Sequence, residues 1–437
     1  MRGVGACLLA LGMCVLATGT RAETPASTPA EVRIVEEGGA YRLLVDGQPY
    51  VVRGAGSASG DLEQLAARGG NSVRTWSTGT DVANVHAMLD RAHRNGLTVA
   101  MGLAVGKERH GFDYDDARAV AVQLDELREQ VRLYRDHPAV LMWLVGNELN
   151  LEHRNPKVWD AVEQITRMIH AEDPNHPVMT PLAGFDRALI DTLKTRAPSL
   201  DLIGIQLYGD LETLPDKLRE ADWTGPYVVT EWGPTGHWES PLTAWGAPVE
   251  DDGSRKAALF QQRYRDVIAA DTRQCLGSYV FLWGHKQERT PTWYGLFLPT
   301  GESTPAVDAM QRLWTGQWPD NRAPSIAPAT IDGRGATDSV VLAAGTAHEA
   351  STTAHDPDGD ALQWRWYALE ESTATSIGGD PEAVPAEVDL HARPDAGGRI
   401  RFTAPGRPGH YRLFVEVRDG HGHAAYANLP FRVEEAR

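Results

Sequence analysis

The sequence predicts an α/β protein, a (β/α)8 TIM barrel followed by a small C-terminal β-sandwich. Two observations lead to this prediction. From Tyr50 onward, eight short apolar runs alternate with amphipathic segments, and eight is the number of strands in a closed parallel barrel. Beyond residue 328 the pattern changes to short strands separated by Asp/Gly and Pro/Gly turns, which is typical of a β-sandwich of about 100 residues.

The apolar runs are candidate barrel strands because each is short, rich in Val, Ile and Leu, and bounded by polar or turn residues. They are Tyr50–Gly54, Ser72–Trp76, Leu97–Val105, Ala139–Val145, Val178–Leu182, Leu202–Leu207, Tyr227–Thr230 and Gly277–Trp283. Helices are predicted between them, for example over 81–96, where Val82, Val85 and Leu89 share one face and Gly96 suits a C-cap. A doubly wound open sheet is the alternative, but it usually has fewer strands and often a Gly-rich nucleotide turn, which we do not find.

The chain divides into five predicted segments. They are a signal peptide (1–22), a flexible leader (23–31), the barrel with an N-terminal hairpin (32–318), a Pro-containing linker (319–328) and an Ig-like β-sandwich (329–437). Arg2, the apolar run that follows and the small residues Thr20 and Ala22 favour a cleaved export signal, and hence a secreted or periplasmic protein. Lipid attachment at Cys14 is the less favoured alternative. The linker predicts that a chain ending near Asp320 folds alone and cleaves small substrates.

Composition excludes several classes of partner. The chain has 437 residues and a formal net charge of −17, with no long basic run, so nucleic acid and anionic membranes would repel it. Cleavage of the signal peptide would leave Cys275 alone, and no Cys/His cluster has zinc spacing, so we predict no metal and no cofactor. The closely spaced Asp356, Asp358 and Asp360 could bind calcium through their carboxylate oxygens, but we favour an Asp/Gly turn. The oligomeric state is not predicted.

Two glutamates carry the predicted chemistry. In a barrel enzyme, catalytic side chains lie where the strands end, and Glu148 and Glu231 follow or end strands four and seven. Strands at this separation face each other across the rim, so the two carboxyl groups can flank a substrate. Cleavage of a glycosidic bond needs one carboxyl to protonate the leaving oxygen and another to attack the anomeric carbon, at about 5–5.5 Å for retention of configuration.

Other residues at strand ends are candidate supporting groups. Arg74 is expected to hold Glu231 ionised, Tyr208 to donate a hydrogen bond to it, and Asn147 to hold a sugar hydroxyl. Aromatic rings stack on the apolar faces of sugars, and Trp283 is the preferred stacking candidate. The remaining substrate-binding candidates are Trp76, Trp232 and His237, the last in a long loop (233–252) predicted to form a wall of the cleft.

Four motifs resemble glycoside hydrolase family 2 and, more widely, clan A. His137–Glu148, ending Gly-Asn-Glu, is similar to the acid/base strand, and Val228–Gly233 is similar to the nucleophile strand. Asn71–Trp76 and the segment from Leu44 to Gly54 resemble the second strand and the entry into the barrel, and the resemblance covers about residues 41–316. It implies a retaining mechanism with Glu148 as acid/base, Glu231 as nucleophile and Asn147, Arg74 and Tyr208 as supporting groups. Trp232 stands where that family often has Tyr.

The function expected from the sequence is that of a secreted retaining β-glycosidase that hydrolyses a β-linked oligo- or polysaccharide. One alternative is a transglycosidase, which uses the same two carboxyl groups and passes the glycosyl unit to a sugar acceptor. The other is a catalytically inactive carbohydrate-binding protein, against which the presence of both Glu148 and Glu231 counts.

Overall fold

A computed structural model describes residues 28–57, 60–395 and 397–435. The predicted signal peptide and residues 23–27 of the predicted leader lie outside the described residues. Of the rest of that leader, Ala30 is buried against the first elements of the fold, and the backbone N–H of Glu31 donates to the Asp46 carboxylate.

Eight parallel strands close into a barrel, which confirms the predicted fold. Each strand is hydrogen-bonded to its neighbours in the order β10-β11-β4-β5-β6-β7-β8-β9, with β9 returning to β10. The strands are β4 (Val52–Gly56), β5 (Ser72–Arg74), β6 (Thr98–Leu103), β7 (Val140–Val145), β8 (Val178–Ala183), β9 (Leu202–Gln206), β10 (Tyr227–Trp232) and β11 (Cys275–Val280). Each begins within a few residues of the run that predicted it.

Helices surround the barrel, and many begin at an aspartate. They are α1 (Leu62–Ala67), α2 (Val82–Arg94), α3 (Ala117–Tyr134), α4 (Lys157–Glu172), α5 (Arg187–Arg196), α6 (Leu214–Ala221), α7 (Gly253–Arg263) and α8 (Pro305–Thr315). Asp61, Asp81, Asp116, Asp186 and Asp252 each accept a backbone N–H from the first turn of their helix, which satisfies donors that the helix itself leaves unpaired.

An antiparallel sheet covers the N-terminal end of the barrel. It consists of β1 (Val32–Glu37), β2 (Ala40–Val45) and β3 (Gln48–Tyr50). Val32 and Leu43 are buried against the barrel interior, in one cluster with Leu141 and Leu202. The sheet thereby closes the N-terminal end of the barrel core. The carboxyl ends of the strands lie at the other end.

The C-terminal module is a two-layered β-sandwich. Its strands are β12 (Ser325–Ile326), β13 (Thr330–Ile331), β14 (Val341–Ala343), β15 (Ala347–Ser351), β16 (Ala354–His355), β17 (Gln363–Glu370), β18 (Glu387–Val388), β19 (Arg393–Asp395), β20 (Arg399–Thr403), β21 (Gly409–Arg418) and β22 (Ala424–Glu434). The sheets have the orders β13-β15-β20-β19 and β14-β22-β21-β17-β18, with a separate β12-β16 pair. Ile400 and Phe402 of one sheet are buried with Leu413 and Val415 of the other, so the two sheets pack face to face.

The module is joined to the barrel by a buried polar cluster as well as by the linker. Lys256 on α7 donates to Glu250 over 2.6 Å, and both side chains are almost fully buried. Asn428 of β22 donates to the other oxygen of Glu250 over 2.6 Å, and Arg412 of β21 donates to the Pro248 carbonyl over 2.7 Å. Removal of the module would take two of these donors away. We therefore expect a chain ending near Asp320 to be less stable than the linker alone suggests.

Candidate active site

The chemistry-bearing residues meet at the carboxyl ends of the barrel strands. Arg74 ends β5, Gln206 ends β9, and Glu231 is the second-to-last residue of β10, while Glu148 lies three residues after the end of β7. A cavity of about 1260 Å³ opens here, lined by Glu148, Glu231 and side chains from most of the strand ends. The predicted pair of carboxyl groups therefore shares one cleft.

Four donors fix the carboxylate of Glu231. Its Oε1 accepts hydrogen bonds from Arg74 (2.6 Å), Trp76 (2.7 Å) and Gln206 (2.8 Å). Its Oε2 accepts one from the Tyr208 hydroxyl, over 3.1 Å. The side chain of Arg74 is completely buried, so its positive charge is directed at this carboxylate with little screening by water. Such an environment compensates a negative charge and holds it in one orientation.

Glu148 has a different environment. Its backbone lies in the left-handed region with a φ of 53°, and its N–H donates to the Pro181 carbonyl over 3.0 Å. Burial raises the pKa of Glu148 to about 7, and repulsion from Glu231 acts in the same direction, while Lys107 and Arg74 oppose them. A carboxyl group with such a pKa keeps its proton in a large fraction of the molecules at neutral pH and is able to donate it.

Asn147 connects the two sides of the site. Its side-chain oxygen accepts hydrogen bonds from Arg74 and, over 2.8 Å, from Gln206, which are two of the four residues that bind Glu231. Because this oxygen is already shared by two donors, the amide nitrogen is the group that we expect to donate to a substrate hydroxyl.

Aromatic side chains form one wall of the cavity. Trp76, Tyr208 and His237 line it, as the sequence predicts, and the Trp76 indole lies 5.2 Å from the Arg74 guanidinium. Burial lowers the pKa of His237 to about 4, so this ring is neutral at neutral pH, and its Nδ1 lies 3.0 Å from the Tyr294 hydroxyl. Trp238 also lines the cavity and is 59% exposed, which makes its face available to a sugar ring.

Three predicted substrate contacts are not at the cavity surface. Arg74 does not line the cavity, and its buried side chain binds Glu231 from behind, so Arg74 is a positioning residue. Trp232 is fully buried against Phe260 on the outer side of β10. Successive side chains of a strand point to opposite faces, and Glu231 points inward, so Trp232 must point outward.

Trp283 is also buried, with 1% of its surface exposed. Its ring packs against Phe297 and Trp314, and its N–H donates to the Asp61 carbonyl over 2.9 Å. The structure therefore gives Trp283 a packing role between the last strand and the surrounding helices, and Trp283 does not line the cavity where a sugar-stacking ring was expected.

Several lining residues were not among the predicted site residues. They are Lys107, Gln206, Trp238, Phe281 and Tyr294 of the barrel, and Ile377–Pro381 of the module. Gln206 ends β9 as Arg74 ends β5, so its place at a strand end could have identified it as a site residue. The module segment carries no such signal, because it is far from the barrel strands in sequence.

The acidic segment of the module forms a turn. One oxygen of Asp356 accepts the backbone N–H groups of Asp358 and Asp360, over 2.9 and 3.0 Å. Carboxylate oxygens of Asp356, Asp360 and Asp419 lie within 4.8 Å of one another. The hydrogen bonds agree with the favoured Asp/Gly turn.

The comparisons with known proteins agree with the fold. Residues 61–235 match the family described as glycosyl hydrolases family 2, TIM barrel domain, a segment that includes Arg74, Asn147, Glu148, Tyr208 and Glu231. This match confirms the resemblance predicted from the sequence. A comparison with curated proteins gave no match. In the part of the chain that the structure describes, no helix is both long and apolar enough to cross a membrane.

Several solved structures resemble this chain at low sequence identity. A β-glucuronidase from Bacteroides uniformis is 15% identical, with a TM-score of 0.50, over 93% of this chain and 48% of its own. One from Bifidobacterium dentium is 19% identical, with a TM-score of 0.49, over 67% and 50%. A family 5 mannosidase from Rhizomucor miehei is 14% identical, with a TM-score of 0.47, over 65% and 96%. The chain spans about half the length of these β-glucuronidases, and the likeness concerns the fold alone.

Proposed function

We propose that the protein is a retaining β-glycosidase that hydrolyses O-glycosidic bonds of a β-linked glycan. The observation that carries the proposal is the contrast between two carboxyl groups in one cleft. Glu231 is held by four donors that include a buried guanidinium, whereas burial raises the pKa of Glu148 to about 7. Paired carboxyl groups in unlike environments are the arrangement that divides the roles of nucleophile and acid.

In the first step, Glu231 attacks the anomeric carbon. Its Oε2 carries one hydrogen bond and its Oε1 carries three, so Oε2 is the less stabilised oxygen and the one that we assign as nucleophile. As the new C–O bond forms, the glycosidic C–O bond breaks and the leaving oxygen takes the proton of Glu148. The products of this step are the free leaving sugar and a glycosyl ester on Glu231.

In the second step, Glu148 acts as a base. Now ionised, it takes a proton from a water molecule whose oxygen attacks the anomeric carbon from the face that the leaving group vacated. The ester bond to Glu231 breaks, and Glu148 regains its proton. Two inversions at the same carbon leave the product in the β-configuration of the substrate.

We further propose that the protein is exported and acts outside the cytoplasm. The proposal rests on Arg2, the apolar run after it and the small residues before position 23, which have the order of a cleaved signal peptide. An extracellular polysaccharide is then the class of substrate that the enzyme would meet.

The proposal predicts retention of configuration. We expect one or more members of a panel of 4-nitrophenyl β-glycosides, including the glucoside, galactoside, mannoside and glucuronide, to release nitrophenol. Proton NMR of the reaction should show the β-anomer of the free sugar first. Initial appearance of the α-anomer would contradict the assignment of Glu231 as nucleophile, and binding without release across the panel and a set of β-linked oligosaccharides would favour the inactive binding protein. Formation of longer oligosaccharides in place of free sugar would favour the transglycosidase.

The raised pKa of Glu148 predicts a pH profile. For a substrate with a sugar leaving group, kcat/KM should fall as the pH rises through about 7, because Glu148 must be protonated to act. Lys107 lowers the pKa of Glu148, so Lys107→Met should move the alkaline limb of the profile, where kcat/KM falls, to higher pH. The exposed Lys157→Met serves as a control and should leave the limb in place. A limb that does not respond to Lys107→Met would show that another group controls it.

A further inference from the structure

One wall of the active-site cavity comes from the C-terminal module. The segment between β17 and β18, residues 371–386, runs from the sandwich to the rim of the barrel, and we call it the cross-domain loop. Its residues from Ile377 to Pro381 line the same cavity as Glu148 and Glu231. The cavity is therefore formed by both domains.

An ion pair ties the cross-domain loop to one side of the barrel rim. Arg109, in the turn that follows β6, donates to Asp380 over 2.6 Å, and its side chain is 4% exposed. The imidazole of the neighbouring His110 also lies 3.1 Å from Asp380. A charge as buried as that of Arg109 requires a fixed partner, so this contact determines where the loop lies.

A second set of contacts ties the loop to the segment after β11. Arg289 donates to Glu382 over 2.9 Å, and the side chain of Glu382 is completely buried. Arg289 also donates to the carbonyl groups of Ala374 and Ser376. Lys286 donates to the Gly379 carbonyl over 2.8 Å. The loop is thus held at both ends of the segment that lines the cavity.

Gly378 brings the loop backbone against Glu148. Its φ of 58° lies in the left-handed region, and a Cβ added there would be 3.1 Å from Glu148 Oε2 and 2.8 Å from the side chain of Leu151. A side chain at this position would force the ends of Leu151, Arg109 and Glu148 to move. Since Glu148 delivers its proton to the leaving oxygen, whatever borders Glu148 on the cavity side also borders the leaving group.

We propose that the cross-domain loop forms the subsite for the leaving sugar and selects which leaving groups the enzyme accepts. This inference rests on the proposed glycosidase function. Ile377, Gly378 and Gly379 all line the cavity beside Glu148, so a leaving sugar would contact an apolar side chain and bare backbone there. The ligand at this subsite is a hydroxyl-bearing sugar. In hydrolysis it is the leaving group, and in transglycosylation it would be the acceptor of the glycosyl unit.

The test compares a large and a minimal leaving group in the full-length protein. A β-linked disaccharide must place a sugar against the loop, whereas the matching β-glycosyl fluoride releases only fluoride. Gly378→Ala should lower the ratio of kcat/KM for the disaccharide to that for the fluoride by tenfold or more. Gly345→Ala is the matched control, because Gly345 has a similar φ of 71° and no atom within 4 Å of the added Cβ, so the ratio should not change.

A second variant keeps the inference testable if Gly378→Ala fails to fold. Ile377→Ala removes atoms from the loop without adding any, and it should raise KM for the disaccharide with a smaller change in KM for the fluoride. If both variants change the kinetics of the two substrates equally, or not at all, the proposed role of the loop is overturned. The activity of the wild type would still support the glycosidase. Failure of the wild type to release sugar or fluoride would overturn the proposed function and the inference together.

Discussion

Glu231→Ala is expected to lower activity by several orders of magnitude on every substrate, including activated aryl glycosides. The substitution removes the atom that forms the bond to the anomeric carbon, and a good leaving group does not replace a missing nucleophile. It also leaves Arg74 buried opposite no carboxylate. Initial rates with 2,4-dinitrophenyl and disaccharide substrates would measure the loss.

The activity of Glu148→Ala, unlike that of Glu231→Ala, is expected to depend strongly on the leaving group of the substrate. Loss of proton donation should lower the rate for a sugar leaving group by about 10²–10⁴-fold, whereas a dinitrophenolate leaves without a proton. The glycosyl ester on Glu231 should then accumulate, because no base activates water.

Azide separates the two roles by stereochemistry. It needs no base, so with Glu148→Ala it should restore turnover and give the β-glycosyl azide. With Glu231→Ala it would take the place of the missing carboxylate and give the α-azide. Exchanged products would reverse the assignment, and wild-type activity in both variants would eliminate the two-carboxylate mechanism.

Lys256→Met is expected to have the largest effect on stability. Lys256 donates to Glu250 and to the carbonyl groups of Thr292 and Trp293, all within 2.9 Å. Its loss leaves the carboxylate of Glu250 buried without its cation, and removing one partner of a buried ion pair costs about 3–5 kcal/mol of unfolding free energy. Urea unfolding followed by tryptophan fluorescence would measure the change.

The matched control for this prediction is Lys157→Met, which breaks an ion pair whose two members are both exposed. Exposed pairs contribute little, so this variant should unfold at the wild-type urea concentration. If Lys256→Met also unfolds there, the cluster around Glu250 contributes no more to stability than a surface pair does.

The barrel was predictable because its strands are nearly continuous apolar runs and its helices are amphipathic, so both periodicities are visible along the chain. The six-residue helix α1 lies between two strands, where a helix is expected, but it is too short to show a helical period. Strand β15, with the sequence Ala-His-Glu-Ala-Ser, shows no clear apolar alternation because only Ala350 is buried, and its hydrogen bonds to β20 hold it in the sheet.

The site was predictable only as far as strand ends reveal it. Glu148, Glu231, Asn147 and Tyr208 follow from that rule, but the orientation of a tryptophan does not follow from its place near a strand end. For Trp232, the inward direction of Glu231 already implied the outward direction of its neighbour. The position of the cross-domain loop depends on pairings such as Arg109 with Asp380, which no local pattern encodes.

The contacts around Glu250 also decide how freely the two domains can be exchanged in protein engineering. Modular enzymes often tolerate the swapping of an accessory domain because a linker is all that joins the parts. A chimaera that kept this barrel and received a foreign sandwich would lack Asn428 beside Glu250 and any counterpart of Asp380 for Arg109. Barrel and sandwich therefore form a single transferable unit, and a graft that preserves the fold and the cleft must carry both.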